Sequence, residues 1–138
     1  MIIGNPPHNA HQENFNQRNS NRFYKGVDKA IKESYIKEGT AQNQIVVYDM
    51  YTRFLRWASD RLGQNGMIAF ITNRSFIDSK TFDGFRKCIE KEFDYVYIVD
   101  TRSDVRNNPK ISGTKNNVFG IQTGIAVMFL VKVKKEKN

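Results

Sequence analysis

Met67-Ile68-Ala69-Phe70-Ile71-Thr72 is a continuous apolar run of strand length, and it decides the fold class of this chain. Such a run is typical of a strand covered on both faces, because each side chain must then be apolar whichever way it points. A helical spacing of apolar residues covers residues 46–62 before the run, and another covers residues 81–93 after it. A buried strand between two amphipathic helices predicts an α/β fold.

The spacing of apolar residues in the rest of the chain extends this alternation of helices and strands in both directions. Strands are predicted at residues 1–4, 95–100 and 125–133, and a further helix at residues 27–37, ended by Gly39. The last strand follows its predecessor without a helix, so an antiparallel return is favoured over a parallel crossover. The polar stretches at residues 9–21 and 102–117 are predicted to be loops. The sequence therefore predicts one α/β domain over residues 1–138, with a mostly parallel sheet and an antiparallel last strand.

Composition restricts the class of partner. The formal net charge of +8 in 138 residues favours a polyanion such as nucleic acid, although solubility alone would also explain it. The single cysteine, Cys88, excludes an internal disulfide, and we expect it to be a small core residue. No apolar run reaches the length of a membrane span and no signal peptide is visible, so a cytoplasmic location without membrane contact is expected.

Asn5-Pro6-Pro7-His8 is the motif that carries chemistry. It directly follows a predicted strand, which is where open α/β sheets bind ligands. The Asn5 side-chain oxygen and the Pro6 carbonyl could accept both N–H groups of an exocyclic amine, which would leave its lone pair available for reaction. The alternative is a rigid turn, because proline fixes its own φ and disfavours helix in the residue before it.

His8 and His11 form an H-x-x-H pair, which could suggest a metal site. No thiol lies nearby to complete a ligand set, so no metal is predicted.

Several longer segments accompany this motif and resemble one family. They are residues 48–58, 66–76, 82–86 and 117–125. Together with Asn5-Pro6-Pro7 they resemble the N6-adenine (γ-type) DNA methyltransferases, and most closely the methyltransferase segment of Type ISP and Type IIG restriction–modification enzymes. The resemblance implies a partial Rossmann-like methyltransferase fold.

The resemblance also implies roles for individual residues. Asn5, Pro6 and Pro7 would hold the target amine of an adenine flipped out of the duplex. His8 stands where the family has Tyr or Phe, so it would stack on the base with a smaller and more polar ring. Phe119 would be a second aromatic against the base, although it could equally be an ordinary core residue.

Three arginines lie in or near loops at the strand ends. They are Arg74, Arg102 and Arg106. Each could contact a DNA phosphate, and each could simply be solvated.

The methyl donor of this family is S-adenosylmethionine, which binds a glycine-rich turn. The chain contains no G-x-G, so we expect it to be the target-base half of a methyltransferase domain, truncated before the half that binds the donor, and inactive alone. The expected partners are double-stranded DNA and the remaining methyltransferase, target-recognition and nuclease or helicase domains. The alternative is a catalytically dead DNA-binding remnant of such an enzyme.

Overall fold

The computed structural model describes residues 1–7, 23–102 and 124–134. Both predicted loops lie outside this range, except for Arg102. The strands are β1 (Ile2–Gly4), β2 (Gly66–Asn73), β3 (Tyr95–Asp100) and β4 (Ile125–Lys132). The α-helices are α1 (Lys25–Ile31), α2 (Met50–Arg61) and α3 (Asp83–Glu92). A π-helical turn (Lys32–Ile36) continues α1, and 3-10 turns cover Ile45–Tyr48, Arg74–Phe76 and Lys80–Phe82.

The four strands form one sheet in the order β1-β2-β4-β3. β1 pairs with β2 in parallel, and β4 runs antiparallel to both β2 and β3. The prediction of an antiparallel last strand is confirmed. Three strands run in one direction, as predicted. Because β4 lies between β2 and β3, however, only the β1–β2 pairing is itself parallel.

One face of the sheet carries the hydrophobic core. Alternate residues of β2 and β4 point into it, and α1, α2, α3 and the turns beside them cover it. Its most buried side chains include Ile31, Tyr35, Leu55, Ile68, Phe85, Met128 and Leu130. On the opposite face of β2, Met67 and Ile71 stay partly exposed. The prediction that β2 is covered on both faces therefore holds fully for one face only.

β3 is the most exposed strand of the sheet. Tyr95, Val96, Tyr97, Ile98 and Val99 are between 38% and 57% exposed, although all five are apolar or aromatic. The strand is predicted at the correct residues, but its edge position leaves it one hydrogen-bonded neighbour, β4. The result is an edge strand with five consecutive apolar or aromatic residues, and its one charged residue, Asp100, stands at the end.

The predicted helix over residues 46–62 is interrupted at Asp49. The backbone there is extended (φ −57°, ψ 151°), and its carboxylate accepts a hydrogen bond from the Tyr51 N–H at 3.4 Å. The Thr52 hydroxyl donates to the Asp49 carbonyl at 2.6 Å and also to the Val47 carbonyl. Aspartate is a preferred N-cap, so α2 begins after Asp49, and the preceding residues form a separate 3-10 turn.

One charged residue of α2, Arg56, lies on the buried side of the helix. Arg56 is only 6% exposed. Its guanidinium pairs with Asp60 at 2.7 Å on the same helix and with Glu92 of α3 at 2.7 Å. The buried charge is thus paired on two sides, as a charge removed from water requires.

Gly84 allows α3 to approach the π-helical turn closely. A Cβ atom at residue 84 would overlap the Tyr35 carbonyl oxygen and the Gly39 backbone nitrogen. Both are backbone atoms, which cannot rotate away as a flexible side chain can. The Tyr35 and Phe85 rings, with centroids 5.0 Å apart, pack edge to face at the same crossing.

We expect Gly84→Ala to destabilise the chain by about 3 kcal/mol or more, because the added methyl forces α3 away from its backbone neighbours. Urea unfolding followed by circular dichroism measures the change. Gly26→Ala is the matched control, since Gly26 lies in α1 with no atom within 4 Å of an added Cβ. It should raise stability by about 0.5–1 kcal/mol through helix propensity. Equal stability of the two variants would contradict this close packing.

Candidate functional site

The candidate site lies across the ends of the strands, at what we call the ligand-binding edge of the sheet, and not along an edge strand. β1, β2 and β3 all end there, and β4 begins there. This is the edge at which open α/β sheets bind their ligands. The structure thus brings the segment after Gly4, the segment after Asn73 and the segment after Asp100 to one side of the molecule.

Asn5, Pro6 and Pro7 leave the end of β1 at this edge. Asn5 and Pro7 are exposed and Pro6 is buried, so the prolines anchor the turn while the Asn5 side chain stays accessible. Gly4 lies close to the Phe70 ring, because a Cβ at residue 4 would lie 3.2 Å from Phe70 Cε1. The tight contact holds the start of the motif against β2.

Three of the predicted site residues lie outside the described part of the chain. They are His8, Phe119 and Arg106. The roles assigned to them, as stacking groups for the base and as a phosphate contact, stay predictions.

Arg74 is engaged in an ion pair. Its guanidinium donates to both carboxylate oxygens of Asp100, at 3.0 and 2.8 Å, and reaches Asp78 at 3.4 Å. Its backbone N–H donates to the Gly124 carbonyl at 3.0 Å. Arg74 and Asp100 are each 24% exposed at the side chain, so the pair is well shielded from solvent. The pair connects the end of β2 to the end of β3 across the start of β4.

Asp100 holds both the Arg74 side chain and the backbone of Arg102, the second residue after β3. The hydrogen bond from Arg74, followed by one from the Arg102 backbone N–H at 2.9 Å, lowers the pKa of the Asp100 carboxyl to about 2. Arg102 has φ 52°, the only positive φ at a non-glycine residue among those described. Its side chain is exposed. Sequence reasoning missed Asp100, and the only available signal was an acidic residue at the end of a predicted strand.

The turn after β2 is ordered by Asn73. Its side-chain oxygen accepts from the Ser75 N–H at 2.8 Å and from the Ser75 hydroxyl at 2.5 Å. On the other side of β4, the Thr101 hydroxyl donates to the Ile125 carbonyl at 2.7 Å. Together with the hydrogen bond from the Arg74 N–H to the Gly124 carbonyl, this bond fixes the ends of β2 and β3 to the beginning of β4.

Two apolar grooves in the described part of the chain lie away from the Asn5 turn. One, of about 290 Å³, is lined by Tyr24, Val27, Met50, Arg53, Phe54 and Trp57. The other, of about 400 Å³, lies between α3 and β3 and includes Phe93, Val96 and Ile98. Neither contains Asn5, Pro6 or Pro7.

Two further observations apply to the described residues alone. They contain no group of three or more His, Cys, Asp and Glu side chains arranged to hold a metal ion. None of the helices they form is long and apolar enough to cross a membrane.

Solved structures of three large proteins resemble this chain. A cryo-EM structure of a DrdV–DNA complex shares 50% identity over 95% of the chain, with a TM-score of 0.83. A nuclease-deletion mutant of the Type ISP restriction–modification enzyme LlaGI, in complex with a DNA substrate mimic, shares 40% identity over 99%, with a TM-score of 0.86. The ATP-dependent Type ISP restriction–modification enzyme LlaBIII, bound to DNA, shares 36% identity over 99%, with a TM-score of 0.85.

The chain spans only a small part of each of these proteins: 13% of the DrdV chain, 13% of the LlaGI chain and 9% of the LlaBIII chain. No match was found among curated protein sequences. The family profile described as Eco57I restriction-modification methylase matches residues 1–106. That match covers the candidate Asn5 turn, both ends of the Arg74–Asp100 pair and most of the core. The chain therefore belongs to the Eco57I restriction-modification methylase family.

Proposed function

We propose that this chain forms the target-base half of an adenine-N6 DNA methyltransferase in a restriction–modification enzyme. In that enzyme a methyl group passes from S-adenosylmethionine to an adenine flipped out of double-stranded DNA. The observation that carries the proposal is the Asn5-Pro6-Pro7 turn, with an exposed Asn5 on a buried Pro6, at the ligand-binding edge of the sheet. Membership of a methylase family and the likeness to DNA-bound restriction–modification enzymes support it.

The chemical role of the turn follows from the electronic structure of adenine. The lone pair of the exocyclic amine is delocalised into the ring, so the amine is a weak nucleophile. Hydrogen bonds from its two N–H groups to the Asn5 side-chain oxygen and the Pro6 carbonyl favour a pyramidal nitrogen with a localised lone pair. Because this geometry develops as the amine reacts, the two acceptors stabilise the transition state more than the ground state.

The residues of this chain do not fit the methyl donor. Its nine glycines include no G-x-G arrangement of the kind that lets a backbone approach the donor closely. We therefore assign the donor site to other residues of the complete enzyme, and this chain to holding and orienting the base.

DNA is the proposed polyanionic partner. The net charge of +8 favours it, and the three similar structures are complexes with DNA or a DNA substrate mimic. Arg106 remains a proposed phosphate contact, and His8 and Phe119 remain proposed stacking groups. The guanidinium of Arg74, by contrast, is engaged by Asp100 and Asp78. The target-recognition and nuclease or helicase parts are proposed to lie elsewhere in the complete protein.

Asn5→Ala in the full-length protein should lower the rate of adenine methylation roughly 10²- to 10³-fold, because one of two transition-state acceptors is lost. Transfer of a radiolabelled methyl group to duplex DNA measures the rate. Asn65→Ala is the matched control, since Asn65 is exposed just before β2, at the opposite edge of the sheet. Near-normal methylation by Asn5→Ala would refute the assigned role.

His8→Tyr tests the competing idea of a catalytically dead DNA-binding remnant. Tyrosine restores the usual family residue, so the substitution should retain or raise methylation by an active enzyme. If both the parent protein and His8→Tyr bind DNA without methylating it, the remnant becomes the better description. A sharp loss on His8→Tyr would mean that the imidazole has a role of its own.

Residues 1–138 alone should bind S-adenosylmethionine negligibly, because they lack the glycine-rich turn that contacts the donor. Isothermal titration calorimetry measures the binding, and the full-length protein is the positive control. Micromolar binding by the chain alone would place the donor site within these residues and contradict the assignment.

A further inference from the structure

Arg102 differs from the other arginines that the structure describes. Each of the others donates to a protein acceptor. Arg53 pairs with Asp28, Arg56 with Glu92, Arg74 with Asp100, Arg61 donates to the Trp57 carbonyl, and Arg86 donates to the Phe76 and Ser79 carbonyls. The Arg102 guanidinium forms no hydrogen bond or salt bridge within the described part of the chain, and the residue is exposed.

The backbone of Arg102 is strained. A φ of 52° lies in the left-handed region, which costs an L-residue with a side chain roughly 1–2 kcal/mol and is usually occupied by Gly or Asn. Asp100 holds this conformation by accepting the Arg102 N–H at 2.9 Å. Glycine would adopt it without strain, so the arginine side chain is retained at a conformational cost. Such local strain concentrates at functional sites.

Arg74 removes an electrostatic obstacle at the same point. A free Asp100 carboxylate beside Arg102 would repel an approaching anion. Arg74 instead binds both oxygens of that carboxylate, at 3.0 and 2.8 Å, and neutralises its charge. Arg74 also reaches Asp78, whose side chain is 67% exposed, at 3.4 Å. Within this group of four residues, the Arg102 guanidinium is the cation that no described side chain engages by a hydrogen bond or salt bridge.

We propose that Arg102 contacts a DNA phosphate beside the target base, and that the Arg74–Asp100 pair is the positioning device that presents it. Asn5 follows β1 and Arg102 follows β3, three strand positions apart in the order β1-β2-β4-β3. At about 4.8 Å per strand this places them roughly 14 Å apart along the edge. That distance equals about four base steps of 3.4 Å, so the phosphate lies within a few nucleotides of the flipped adenine.

The inference rests on the proposed function only in taking DNA as the ligand, because DNA binding can be measured without methylation. Duplex binding by the full-length protein is titrated over a range of salt concentrations by fluorescence anisotropy. Arg102→Gln should reduce the slope of log affinity against log salt by about one phosphate contact. Arg61→Gln is the matched control, since Arg61 is an exposed arginine at the end of α2, near the opposite edge of the sheet, and should leave the slope unchanged. An unchanged slope for Arg102→Gln would overturn the contact.

Arg102→Gly separates a binding role from a structural one. Glycine relieves the strain, so the thermal unfolding midpoint should stay the same or rise while DNA affinity falls. A fall in both would assign Arg102 to stability and overturn the proposal.

The positioning role of Arg74 is tested by a double-mutant cycle. Arg74→Gln alone should reduce the salt slope like Arg102→Gln, and the double variant should lose no more than either single variant. Two additive losses would make Arg74 a second phosphate contact and overturn its positioning role. Asp100→Asn, which keeps an oxygen to accept the Arg102 N–H, should bind DNA better than Asp100→Ala, and equal losses would contradict the role of that hydrogen bond.

Methylphosphonate substitution identifies the phosphate. Replacing a single phosphate near the target by a neutral methylphosphonate should weaken DNA binding by the parent protein at one position. The same replacement should leave DNA binding by Arg102→Gln unchanged. No such position would indicate that Arg102 pairs with an acidic protein group and would overturn the DNA contact. Parallel methylation assays keep the two proposals distinct. An unchanged salt slope for Arg102→Gln, with normal methylation by the parent protein, contradicts only this inference. A reduced slope for Arg102→Gln, with no methylation by the parent protein, contradicts only the proposed activity.

Discussion

The insertion of β4 between β2 and β3 is the constraint on which the rest of the structure depends. Among the strands that the structure describes, β3 pairs with β4 alone, in a register that runs from Tyr95 opposite Val131 to Asp100 opposite Ala126. β4 also supplies Ala126, Met128 and Leu130 to the core. Gly124, directly before β4, accepts a hydrogen bond from the Arg74 N–H, and Ile125, its first residue, accepts one from the Thr101 hydroxyl. One strand therefore builds the core and aligns the strand ends at the candidate site.

The sequence predicts those parts of the fold that local periodicity determines. The apolar runs locate β2, β3 and β4 to within a residue or two, and the missing crossover indicates that β4 is antiparallel. The position of β4 between its two partners is not predictable in this way, since it depends on pairing between residues far apart in the chain. The helix break at Asp49 is different, because an aspartate N-cap is a local signal.

The candidate site likewise has one part that the sequence predicts and another part that it does not. Asn5-Pro6-Pro7 is recognisable because its chemistry is contained in consecutive residues after a strand. The roles of the arginines are not, because their partners are distant: Asp100 lies 26 residues from Arg74, and Glu92 lies 36 residues from Arg56. The local sequence around each arginine gives no sign of these distant partners. In the structure one is buried in the core and the other neutralises a carboxylate, which leaves Arg102 as the exposed cation of the three.

The order of the strands also bears on how the chain folds as it is synthesised. β3 is complete at Asp100, but β4, its one partner strand in the described part of the chain, ends at Lys132, which leaves 32 further residues to be made. At roughly 5–20 residues per second this takes about 2–6 s, much longer than helices or hairpins need to form. For that time the five apolar or aromatic residues of β3 lack the strand that they pair with in the folded chain. During synthesis β3 is therefore open to chaperone capture or to mispairing with another chain.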